Sequence, residues 1–118
     1  MEHRKDRVMD ETEDLTDRIR RHLMDDPHIS ERKMFGGICF MLNGNMLCGI
    51  TKKGDFMARV GKDLEAEGRT RAHVRDMDFT GKPMKGFLFV SEEGVETPEL
   101  LADWIALCTQ FVGALPPK

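Results

Sequence analysis

Two short, largely apolar runs, Ile38–Leu42 and Met46–Ile50, close on the dipeptide Asn43-Gly44. No other feature constrains the fold as strongly. A tight hairpin of type I′ needs positive φ at both central residues, and Asn-Gly supplies it at the least cost. The middle of the chain is therefore a β-hairpin. A two-residue loop sets Phe40 against Leu47 and Cys39 against Cys48, with Met41 facing Met46. A three-residue loop, 43–45, would instead put Phe40 opposite Cys48. In either register both faces of the hairpin are apolar.

The flanks read as helix. Leu15, Ile19 and Leu23 fall four apart on one stripe, with acids early and Arg18, Arg20, Arg21 and His22 late, the order a helix dipole favours. Asp25-Asp26-Pro27 stops that helix, because a residue before proline avoids the α region. Near the other end, Thr97-Pro98 has the form of an N-cap followed by proline at the first helical position. Leu100, Leu101, Trp104, Ile105, Leu107, Cys108, Phe111 and Val112 give that helix a wide apolar face. Between the helices, short strands are expected at 33–35, 38–42, 46–50, 55–60 and 85–90. A short helix is expected at 61–67, and residues 69–76 read as polar and irregular.

This order describes one α+β domain over residues 1–118, with residues 1–8 frayed. It implies two layers: a five-stranded antiparallel meander with helices on one face. The expected core is Leu15, Ile19, Leu23, Phe40, Leu47, Phe87, Phe89, Trp104, Leu107 and Phe111. The second face of the sheet then needs a cover. Either loop 61–80 crosses it, or a partner or second copy docks there on Cys39, Met41, Met46 and Cys48.

Catalytic constellations are missing from the sequence. The chain has no tyrosine, and neither Ser30 nor Ser91 sits in a nucleophile elbow. His3, His22, His28 and His73 show no metal-ligand spacing. Gly81-Lys82-Pro83-Met84-Lys85-Gly86 leads into a strand, whereas a phosphate loop opens a helix. The expectation is thus no enzyme, no cofactor and no metal. Cys39, Cys48 and Cys108 lie among apolar neighbours, as reduced packing thiols do, although a Cys39–Cys48 pair would be close enough for a redox switch. No stretch reaches a membrane-spanning length and no leader is visible, so the protein is expected in the cytoplasm.

Net charge is −3, which argues against a general nucleic-acid binder. Residues 52–86 nevertheless hold nine basic and six acidic side chains, a local +3. Lys33, Arg59, Lys82 and Lys85 are the candidate contacts for an anion or nucleic acid, if the strands bring them to one edge.

Arg32–Gly37, Asn43-Gly44-Asn45-Met46, Arg59-Val60-Gly61 and Met77–Phe87 together resemble the N-terminal domain of the TfoX (Sxy) competence-regulator family. The resemblance runs from about Met9 to Pro116 and rests on the order of these motifs. It implies an antiparallel sheet with helices on one side. It also implies a bacterial transcriptional co-regulator that works through protein contacts, with a cyclic-AMP receptor protein as partner in the full-length members. Those members carry a further helical C-terminal domain, which has no counterpart before Lys118. The resemblance supplies no catalytic residues.

Overall fold

The computed structural model describes residues 11–34, 36–78 and 83–118. Helix α1 (Glu11–Leu23) leads into β1 (Ile29–Met34), β2 (Gly37–Leu42), β3 (Asn45–Ile50) and β4 (Phe56–Arg59). A 3-10 turn (Lys62–Leu64) and the short helix α2 (Glu65–Gly68) follow. Then come β5 (Val74–Asp78), β6 (Pro83–Val90), a second 3-10 turn (Glu92–Val95) and α3 (Pro98–Val112). The strands form one six-stranded sheet in the order β1-β2-β3-β4-β6-β5, with every pairing antiparallel.

The α+β class and the helix-covered sheet are as the sequence implies, with two differences. The described residues form six strands rather than five, because Val74–Asp78, which overlaps the stretch 69–76 expected as irregular, is the outer strand β5. Nor is the sheet a simple meander: after β4 the chain runs to the far edge, and β6 returns into the gap. Strand β1 is also longer than expected. Its middle residues Ser30, Glu31, Arg32 and Lys33 are all exposed, the charged dress that keeps an edge strand from pairing with another chain.

Asn43 and Gly44 take φ values of 54° and 83°, as a type I′ turn requires. Leu42 pairs with Asn45 and Met41 with Met46, the register of a two-residue loop. Beyond that pair a bulge inserts Leu47. Phe40 now stands opposite Cys48, Cys39 opposite Gly49, and Ile38 opposite Ile50. The expected pairing of Cys39 with Cys48 is therefore wrong. The loop length is right, but the extra residue turns Cys48 to the other face. At the start of β2, a Cβ on Gly37 would collide with the Ile50 carbonyl, so the two strands approach only because position 37 has no side chain.

One face of the sheet is covered by helices. Leu15, Ile19 and Leu23 from α1 and Leu101, Trp104, Ile105, Leu107, Cys108 and Val112 from α3 pack on Phe40, Leu42, Leu47, Cys48, Ile50, Phe56, Ala58, Leu88 and Val90. Thr97 caps α3, its Oγ1 accepting from the Leu100 amide at 3.1 Å with Pro98 next in line. Leu100, expected on the apolar face, is exposed. Phe111 is half-buried at the rim of this core. Phe87 and Phe89 belong to a separate cluster on the opposite face, with Cys39 and Met57.

Candidate functional site

That opposite face is the least ordinary surface of the molecule. In an antiparallel sheet, directly opposed residues share a face. Reading across the register, Arg32 (β1), Cys39 (β2), Gly49 (β3), Met57 (β4), Phe89 (β6) and Arg75 (β5) form one transverse row. Cys39, Met57 and Phe89 fill its middle and are buried; an arginine stands at either end. The Met57 Cε methyl lies 2.7 Å from where a Cβ on Gly49 would stand. Met41, Met46, Arg59 and Phe87 lie alongside, with Met34 also packed against the cluster. Met34, Met41, Met46 and Phe87 are each half-buried.

Arg59 and Arg75 are each stacked on aromatic rings. Arg59 lies over Phe87 at 5.7 Å and over Phe111 at 5.5 Å, and its Nη1 donates to the Met46 carbonyl at 3.3 Å. Arg75 lies over Phe89 at 5.1 Å and pairs with Asp55 at 2.5 Å. At Arg59 the stacking holds a cation against apolar surface with no carboxylate partner among the described residues.

Phe111 of α3 meets Arg59 at the rim of this face, and no described helix residue packs on the cluster of Cys39, Met41, Met46 and Met57. Loop 61–80 was one expected cover, but its first part runs the other way. Leu64 packs on the helix-side core, and Gly68 lies against Leu88 and Trp104. Residues 74–78 are β5, and 79–82 fall outside the described residues. Of the four residues expected on a partner surface, Met41 and Met46 are there, half-buried. Cys39 is on the same face but fully buried, and Cys48 is fully buried beneath the helices.

Of the expected basic contacts, Lys33 and Lys85 lie far apart, whereas Arg59 pairs with Phe87, two residues along β6 from Lys85. Lys33 stands in the row of Ile38, Ile50, Phe56 and Val90, whereas Lys85 is five residues further along β6 from Val90. Four strand spacings and five residues separate them, roughly 19 Å one way and 17 Å the other. Both are exposed, Lys33 on the edge strand β1 and Lys85 on β6 between β4 and β5. Arg59 is half-buried and held by its two rings, and Lys82 lies outside the described residues.

Burial raises the Cys39 thiol, pushes Cys108 up to about 12 and lifts Cys48 well above its usual range, the opposite of what a reactive thiol needs. Among the described residues no group of three or more His, Cys, Asp and Glu is placed to hold a metal. No described helix is long and apolar enough to cross a membrane. A groove of about 260 Å³ opens beside Leu23, Met24, Ile29 and Phe40. The Arg20 guanidinium at its rim is taken up by Glu31 at 2.7 and 2.8 Å.

The sequence singled out Arg32 only as the start of the motif Arg32–Gly37, and Arg75 not at all. Only the strand order places them on one row, and no local signal carries that order.

The family model described as TfoX N-terminal domain matches residues 21–112. No curated protein and no solved structure matches the chain.

Proposed function

This chain belongs to the TfoX N-terminal domain family, and we propose that it is a regulatory domain that acts by holding a protein partner on the helix-free face of its sheet. The observation that carries the reading is the half-buried set Met34, Met41, Met46 and Phe87, laid over fully buried Cys39 and Met57 with no described helix above them. An apolar patch rimmed by charge is the usual mark of an interaction surface, and methionine adapts to varied partners. The role is non-enzymatic. The regulated process is bacterial transcription, as the family resemblance implies, and the compartment is the cytoplasm, which suits three free, buried thiols.

Direct nucleic-acid binding is the weaker reading: Lys33 stands far from Lys85, and the net charge of −3 opposes it, although Arg59 and Lys85 stay near each other across β4 and β6. The test is a photo-crosslinking residue placed at Met41, compared with one at Met24 on the helix side, in the source cell. Discrete protein adducts from position 41 that vanish in a Met46→Gln background are expected. Adducts equally strong from position 24, or nucleic-acid adducts from 41, would overturn the reading.

A further inference from the structure

The charge on the helix-free face narrows the partner's chemistry. The protein as a whole carries −3, yet Arg32, Arg59 and Arg75 all stand on this face. Arg75 already holds a carboxylate, that of Asp55. Arg32 is exposed at the β1 edge and has no ion pair among the described residues. Arg59 is half-buried between two rings and also lacks a carboxylate among the described residues. A cation partly withdrawn from water with no counter-charge favours an incoming anion more than a solvated one does. Between Arg32 and Arg59 lie Met41 and Met46, about three strand spacings or roughly 14 Å of apolar surface.

Resting on the reading that this face is the contact surface, we propose that its occupant is an acidic amphipathic segment of a partner protein. Apolar side chains seat on Met41, Met46 and Phe87, and flanking carboxylates reach Arg32 and Arg59. A nucleic-acid strand fits less well. Phe87 and Phe89 already have arginines stacked on them, so neither ring is free to take a base.

The probe is a displayed library of random peptides about twelve residues long, the reach of an extended or helical segment across such a face. It is panned against the full chain. Enrichment of apolar centres flanked by Asp or Glu is expected. A synthetic winner should bind Arg32→Glu at least about tenfold more weakly, with affinity that falls as salt rises. It should also lose binding to Met41→Gln/Met46→Gln. Arg32 is exposed, so its reversal leaves the fold intact. Several outcomes overturn the proposal: no enrichment, winners without acids, or binding untouched by Arg32→Glu. Competition by a single-stranded oligonucleotide, or a dimer that the double methionine variant dissolves, does so as well. Acid-free winners that still need Met41 and Met46 would refute the acidic chemistry and leave the contact face standing. Winners indifferent to both methionines would refute the face itself.

Discussion

Cys39 and Cys48 lie on opposite faces of the sheet, Cys39 beside Met57 and Cys48 beneath the helices, because Leu47 is an extra residue in β3. A bond between them would have to pass through the sheet. Under oxidising conditions the native protein should form no Cys39–Cys48 disulfide, and an Ellman assay without denaturant should react slowly at all three buried thiols. A native intramolecular bridge in a peptide map would contradict the register.

The same burial makes stability depend on alkaline pH. Cys108 ionises near its ordinary value of 9.0 when unfolded but at about 12 when folded. Above the lower value the unfolded chain holds fewer protons than the native one, so stability falls as pH rises from about 9 towards 12. Each such thiol contributes a slope of up to about 1.4 kcal/mol per pH unit. Cys108→Ala should flatten the loss. Urea midpoints at about pH 8 and about pH 10 measure it, and identical slopes in both proteins would contradict the assignment.

Trp104 is 1% exposed, packs within the helix-side core and carries Arg71 over its ring at 5.5 Å. Trp104→Ala should cost about 3–5 kcal/mol in chemical denaturation. A loss below about 1 kcal/mol would mean that α3 does not dock as described.

Glu65 ties α2 to β6. Its carboxylate accepts from the Gly86 amide, at a bend where Gly86 has φ of +87° and the Gly61 backbone crowds in. The Gly86 carbonyl in turn accepts from the amides of Val60 and Gly61 at 2.9 and 3.0 Å. Glu65→Ala should destabilise by about 1–3 kcal/mol, since it leaves a partly buried amide unmet, and Glu65→Gln should cost less. Equal losses in the two variants, read from thermal melts, would argue against that hydrogen bond.

The local chemistry of the chain was legible before its geometry. Asn43-Gly44, the Thr97-Pro98 cap and the Leu15, Ile19, Leu23 stripe each act through near neighbours, and each does what its residue types dictate. The bulge was invisible because Leu47 and Cys48 are both apolar, so no alternation marks the extra residue. Strand β5 was hidden for the opposite reason: as an edge strand it carries Arg75, Asp76 and Asp78, and its composition reads as loop. The order β4-β6-β5 rests on long-range pairing, and with it go the Arg32–Arg75 row and the distance between Lys33 and Lys85. The motif glycines that carry the resemblance, Gly37, Gly61 and Gly86, turn out to serve close packing and turning of the backbone.

The central claim is that the chain's own helices leave the Met41–Met46 face open, and methionine oxidation tests it most directly. Purified protein is treated with dilute peroxide, and each sulfoxide is followed by peptide mass spectrometry. Exposed Met24 should oxidise first, Met34, Met41 and Met46 next, and fully buried Met57 at least about tenfold more slowly than these. Protection of Met41 and Met46 as complete as that of Met57, in a monomer, would mean that the chain covers this face itself.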